Sequence, residues 1–205
     1  MLKIKYFIQQ SWLLIISSFF FGLLIAIASA AWAPRIQQNK IEKLNSLITG
    51  LLSNAARFEL ATELEVKSTK GKKTKTDIYK AISDANTCIG WAFICDGPGF
   101  ADKIELVVAV DEKFQKFSGY DVLASNETPG FGDQIKLPYY RNQFKATPAD
   151  EFELAKSGDA EKIDSEIVAI TGATVSSEAV VKIINNFLPQ IKDQMLKEGL
   201  IGNVK

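Results

Sequence analysis

The sequence predicts an α/β fold of the α+β type: an antiparallel twisted sheet flanked by helices, preceded by one transmembrane helix. Three observations predict it. Residues 12–33 form an uncharged apolar run of 22 residues; five segments rich in β-branched and aromatic residues then follow, with turn signals between them; and the chain ends on a strand, a short turn and a strongly amphipathic helix.

The apolar run from Trp12 to Ala33 matches the roughly 20 residues needed to cross a bilayer. Lys3 and Lys5 precede it, and Trp12 and Trp32 stand near its ends as interfacial anchors. The usual orientation makes residues 1–11 a short cytoplasmic N-terminus, residues 12–33 the transmembrane helix, and places the remainder outside. Ala28-Ser29-Ala30 and Ala31-Trp32-Ala33 resemble signal-peptidase sites, whereas the length of the run favours an uncleaved anchor. Residues 34–56 read as an amphipathic linker helix with Leu44, Leu47, Ile48, Leu51 and Leu52 on one face, together with Ile36 and Ile41.

An extracytoplasmic domain is expected over residues 57–205. Strands are predicted at 58–68, 74–83, 87–95, 103–111 and 116–124, punctuated by KGKK, DGPG and DEK, so that successive strands pair as hairpins. The basic tip at residues 70–75 reads as a solvated turn. Residues 132–144 suggest a short helix, 146–162 a polar loop and 163–170 the last strand. After it Val180, Ile183, Ile184, Phe187, Leu188, Ile191 and Met195 recur at helical spacing.

Two stretches carry chemical interest. Residues 171–177, TGATVSS, form a hydroxyl-rich turn at the start of the last helix, where free backbone N–H groups and the helix dipole favour an anion; Thr174, Ser176 and Ser177 add hydroxyl donors. The plainer reading makes these hydroxyls N-caps, with Glu178 favourable in the first turn. In residues 126–132, NETPGFG, Pro129 and Gly130 fit the two central positions of a type II turn. Gly130 and Gly132 let backbone approach a flat ligand, and Glu127 and Thr128 are placed to hydrogen-bond its rim. Asn126-Glu127-Thr128 also matches a glycosylation sequon.

Composition closes other routes. A formal net charge of zero provides no basic footprint, so no nucleic-acid partner is expected. The absence of histidine excludes Ser-His-Asp and Cys-His nucleophile systems and His-ligated haem or zinc; no metal site and no catalytic side chain are predicted. Cys88 and Cys95 lie seven apart in one predicted strand, which sets them on opposite faces as two separate buried thiols.

The motifs ETPGFG (127–132) and TGATVSS (171–177), in that order behind one N-terminal span, resemble the FMN-binding G-type subunit of the Rnf electron-transport complex. More distantly the chain is similar to the C-type subunit of the sodium-translocating NADH:quinone oxidoreductase. The resemblance implies an FMN-binding domain that relays electrons within an ion-translocating oxidoreductase complex, alongside other membrane subunits, with the domain outside the inner (cytoplasmic) membrane. It implies FMN joined to Thr174 by a phosphoester bond, made by a separate flavin transferase that uses FAD and magnesium. Thr171, Gly172, Ala173, Ser176 and Ser177 would then surround the attachment point, and Glu127, Thr128, Pro129, Gly130 and Phe131 would approach the ring system. Aromatic candidates for packing on the ring are Trp91, Phe100, Phe131, Tyr139 and Tyr140, Phe131 foremost. The transferase recognition pattern carries Asp three residues before the first hydroxyl of the motif, and Val168 stands there instead. The alternatives are a stand-alone membrane-tethered FMN-domain carrier, serving an anaerobic reductase or extracellular electron transfer, and a flavin-less binding domain.

Overall fold

The computed structural model describes the backbone of residues 2–69 and 71–202, and side chains from Gln10 onward. Lys70 of the basic tip and the side chains of Lys3 and Lys5 lie outside the described residues. Two compact units are formed, Met1–Glu42 and Lys43–Lys205.

Helix α1 runs over Leu2–Leu51 without a break at Pro34, where the sequence suggested that the span gives way to a second helix. Proline keeps a helix-compatible φ and forfeits one hydrogen bond, so the apolar and amphipathic stretches continue as one helix. In the first unit its large apolar side chains, such as Leu14, Phe19 and Ile25, are exposed. Among the described residues α1 is the one helix long and apolar enough to cross a membrane. In the second unit Leu44, Ile48 and Leu52 are buried. Ile36 and Ile41, assigned to the same stripe, are exposed.

Five strands follow as an antiparallel meander: β1 (Arg57–Lys67), β2 (Lys73–Ile82), β3 (Cys88–Pro98), β4 (Lys103–Asp111) and β5 (Lys116–Ser125). A two-residue strand β6 (Thr147–Pro148) completes a six-stranded sheet in sequential order. Cross-strand pairs Lys73–Glu65 and Lys75–Glu63 absorb lysines of the basic tip. Such exposed pairs contribute ~0–1 kcal/mol each.

Both faces of the sheet are covered, so β4 is buried almost throughout. One face carries Leu64, Ile78, Phe93, Leu106, Val108 and Val110 against the C-terminal helix α2 (Thr174–Lys197), which buries all seven apolar positions read from its periodicity. The other face is made small by Ala81, Ala92 and Ala109, and receives Leu44 and Ile48 from the end of α1 and Leu52 just after it. Gly90 belongs to this face, since a Cβ there would lie 3.1 Å from Leu52 Cδ2 and 2.5 Å from the Val110 carbonyl.

The cysteines correct the alternation argument. A register shift between Ala81 and Ile82 of β2 pairs Gly90 and then Cys88, leaving Ile89 as the extra residue of a bulge. The bulge flips the pleat, and Cys88 and Cys95 both face the α2 side. Both thiols are free; Cys95 is buried and Cys88 partly so.

Between β5 and α2 the chain is irregular. Residues 132–144 form a 3-10 turn, Gly132–Lys136, a single helical turn, Pro138–Arg141, and another 3-10 turn, Asn142–Phe144, instead of one helix. The expected loop contains β7 (Glu153–Ala155), which pairs in parallel with β8 (Glu166–Val168), the surviving three residues of the predicted last strand.

Candidate functional site

Three turns, distant in sequence, converge at the N-terminal end of α2. The first lies between β3 and β4, where Gly99 N–H donates to the Asp102 carbonyl at 2.7 Å and Phe100 is left 65% exposed. Asn126 Nδ2 donates to Asp102 Oδ2 at 2.8 Å, and this bond holds the Asp102 carboxyl below the usual carboxylate range. The second follows β5. Phe131 N–H donates to the Thr128 carbonyl and Gly130 has φ +77°, as a type II turn with Pro129 and Gly130 at its centre requires. Gln134 Nε2 donates to the Gly130 carbonyl at 2.6 Å, and Tyr139 Oη donates to Gln134 Oε1, so a side-chain relay braces this turn. In the third, between β8 and α2, Ala173 N–H donates to the Ile170 carbonyl and Gly172 has φ +81°.

Between these turns lies a cleft of about 470 Å³ lined by Phe100, Thr128, Phe131, Gly132 and residues 172–176. That volume lies in the roughly 300–1,000 Å³ range of small-molecule sites. The two sequence motifs thus share one cleft. A Cβ on Gly172 would touch the Phe131 ring at 3.7 Å, so the aromatic side chain of one motif lies over the backbone of the other. Phe100 also lines a neighbouring cleft of about 390 Å³ bordered by Ser68, Asp96 and Lys103.

The predicted residues divide by position. Thr128, Phe131, Gly172, Ala173, Thr174 and Ser176 line the cleft; Thr171, Ser177, Pro129 and Gly130 do not, and shape its turns instead. Glu127 is 4% exposed, and its carboxylate is taken up by protein donors, Ser176 Oγ at 2.5 Å and Ala101 N–H at 3.1 Å. Of the aromatic candidates, Phe100 and Phe131 face the cleft. Trp91 and Tyr140 are core, and burial raises the Tyr140 phenol above its ordinary value. Tyr139 is exposed and belongs to the brace. Val175 lines the cleft unpredicted; an apolar residue one position after the attachment candidate carries no sequence signal of its own.

The hydroxyls of the 171–177 motif are not N-caps. Ala173 occupies the cap position without a side-chain bond, and no acidic residue stands in the first turn. Ser177 Oγ accepts from Ile170 N–H and donates to the Ala173 carbonyl, both at 3.0 Å, tying the strand exit to the helix. Glu178 pairs with Lys182 one turn on. The N–H groups of the first turn of α2 have no intrahelical acceptor, as at any helix start, and they adjoin the cleft where the dipole favours negative charge. An exposed hydroxyl, helix-start N–H groups, two exposed aromatic faces and glycine-lined backbone suit an elongated, flat, anionic ligand, and FMN has that form.

Residues 99–189 match the FMN-binding domain family, a span that begins at the first turn of the cleft and ends within α2. The G-type subunit of the proton-translocating ferredoxin:NAD(+) oxidoreductase complex of Clostridium ljungdahlii is 31% identical over 87% of this chain and 88% of its own. Its counterpart in the ion-translocating oxidoreductase complex of Methanosarcina acetivorans is 27% identical over 82% and 87%. Among solved structures, Shewanella oneidensis NqrC superposes with a TM-score of 0.58 at 21% identity, over 72% of each chain, a likeness of fold. From its similarity along nearly the whole length of the Clostridium ljungdahlii protein, the chain belongs to the family of G-type subunits of ion-translocating oxidoreductase complexes.

Proposed function

We propose that this chain holds one FMN in the cleft, joined by a phosphoester bond to Thr174, and relays electrons within an ion-translocating oxidoreductase complex. Helix α1 anchors it in the membrane, residues 12–33 serve as the span, and the domain stands on the extracytoplasmic side. Its partners are the other membrane subunits of an Rnf-type complex and, during maturation, a flavin transferase.

One observation carries the choice of Thr174. Of the four hydroxyls in the motif, Thr174 is both exposed and on the cleft. Ser176 and Ser177 are 3% and 0% exposed, and both are engaged in hydrogen bonds. Thr171 is exposed but does not line the cleft. A transferase needs an accessible nucleophile, and the helix start then stabilises the phosphodiester anion by ~0.3–1 kcal/mol per interaction.

The flavin supplies the redox chemistry, taking up and releasing electrons, while the protein supplies orientation and electrostatics. Phe100 and Phe131 offer apolar faces beside the cleft, and the Tyr139–Gln134 relay keeps the Gly130 turn in place. Covalent attachment prevents loss of the cofactor outside the cell.

Thr174→Val keeps the side-chain shape and removes the nucleophile. Co-expressed with a flavin transferase, the wild type is expected to show a fluorescent band on a denaturing gel and the mass of one attached FMN. Thr171→Val is expected to match it and Thr174→Val to show neither signal. Retention of the band in Thr174→Val would overturn the site. A wild type without flavin would favour the flavin-less reading, unless Val168→Asp restored attachment. The Val168 backbone is held in place by Gln143, which accepts from its N–H at 2.8 Å and donates to its carbonyl at 3.2 Å, so that substitution leaves the strand anchored.

A further inference from the structure

The carboxylate of Glu127 sits where the three turns meet. Its Oε2 accepts from Ser176 Oγ in the first turn of α2, 49 residues away, and its Oε1 accepts from Ala101 N–H in the turn after β3, 26 residues away. Its own backbone leads into the Thr128–Pro129–Gly130–Phe131 turn. Both Glu127 and Ser176 are buried, at 4% and 3% exposure. The room for this carboxylate is reserved by two glycines. A Cβ at Gly99 would collide with Glu127 Oε1, and one at Gly132 would lie 2.6 Å from Oε2 and 2.5 Å from Ser176 Oγ. Each segment the carboxylate grips carries a wall of the cleft: Phe100 precedes Ala101, Phe131 precedes Gly132, and Thr174 and Val175 precede Ser176.

We propose that Glu127 is a positioning residue, a buried carboxylate clamp that sets the separation of the Phe100, Phe131 and Thr174 walls and so orients the flavin without contacting it. The orienting role rests on the FMN reading above; the clamp itself does not. Removing the carboxylate takes the acceptor from the Ala101 N–H and from the buried Ser176 hydroxyl, which frees the first turn and the helix start to move apart. A glutamine at this position preserves the geometry. Its amide oxygen accepts from Ala101 and its NH₂ donates to Ser176 Oγ.

The test uses the full-length chain in detergent and has two arms. In flavin-free protein, Glu127→Ala is expected to speed amide exchange at Ala101 and across residues 128–132 by about tenfold or more, the scale of one lost charge-assisted hydrogen bond, with the buried β4 amides unchanged. Glu127→Gln, whose neutral amide keeps both bonds in weaker form, should return exchange most of the way to wild type. Ser176→Ala, which removes one of the two bonds, should give a smaller effect and serves should Glu127→Ala not fold. In flavin-loaded protein, Glu127→Ala should keep the attached mass but lose the visible circular dichroism of the flavin, with Glu127→Gln recovering it. Wild-type exchange at Ala101 in Glu127→Ala, or in Ser176→Ala should Glu127→Ala not fold, would overturn the clamp. Unchanged visible circular dichroism in Glu127→Ala, or failure of Glu127→Gln to recover it, would overturn the orienting role. A wild type that takes up no flavin would count against the FMN reading and the orienting role together, while the exchange arm still decides the clamp.

Discussion

Cys95 shows how a single residue makes stability depend on pH. Burial pushes its thiol well above the ordinary value of 9.0, because the thiolate would be formed in an apolar core beside Phe93 and the α2 face. The folded-state value lies above the unfolded one, so the stabilisation is complete below the unfolded value and is lost as pH rises beyond it. Tyr120 and Tyr140 are shifted in the same direction by burial, from 10.0. The thermal midpoint is therefore expected to fall as pH rises past the ordinary thiol value, and more steeply once the tyrosines join. Cys95→Ala should flatten the first part of that fall in a pH series of melting curves; an unchanged slope would show that the thiol is not its source. In native protein at neutral pH, alkylation should reach the partly exposed Cys88 before Cys95.

At the scale of elements, α2 does more than bury an apolar stripe. Strand β1 is one edge of the sheet, and an open edge invites pairing with another chain. Asn186, Gln190 and Gln194, spaced one helical turn apart on α2, cover its last residues. Asn186 Nδ2 and Gln190 Nε2 donate to the Lys67 carbonyl at 2.7 and 3.0 Å, Gln190 Oε1 accepts from Lys67 N–H at 2.9 Å, and Gln194 Nε2 donates to the Glu65 carbonyl at 2.8 Å. Gln190→Ala removes one acceptor and one donor and should cost about 1–3 kcal/mol. A urea titration would report this as a lower midpoint with the slope preserved. Combined alanine substitution at all three positions should add self-association, seen by light scattering. A triple variant as stable and as monodisperse as the wild type would mean that the edge needs no cover.

For the whole molecule, the question is whether α1 stays attached. Its first unit exposes a run of large apolar side chains from Trp12 to Ile27 that water does not tolerate as a patch of this size, whereas a bilayer does. Native protein should remain with membranes through an alkaline wash, and its intact mass should include the complete N-terminus. Mature material beginning near Ala31 or Pro34 would sink the anchor and make residues 12–33 a cleaved leader. The continuity of α1 through Pro34 has a further consequence. Leu44 and Ile48 of the second core belong to the same helix as the apolar run, so cleavage at those sites would leave this packing element in the mature chain but free it from that run.

Much of this was determined by local chemistry and is legible in the chain. The five long strands fall within a few residues of their predicted limits because β-branched runs and turn residues act over short distances, and the buried stripe of α2 follows from a 3.6-residue period. The type II turn at Pro129-Gly130 is likewise a property of two adjacent residues. Tertiary structure decided the rest. The bulge at Ile89 depends on how β2 and β3 register, so it alone moved Cys88 and Cys95 to one face. The parallel β7–β8 pair rests on three residues per strand, too few for a periodic signal. Ser176 and Ser177 read locally as caps, but their hydroxyls are bound to Glu127 and to the Ile170–Ala173 turn. Glu127 read as a ligand for a cofactor rim because nothing within its own motif accepts or donates to it. Its partners are 26 and 49 residues distant, and only the topology of the sheet brings a carboxylate, an amide and a hydroxyl together in a space that two glycines leave open.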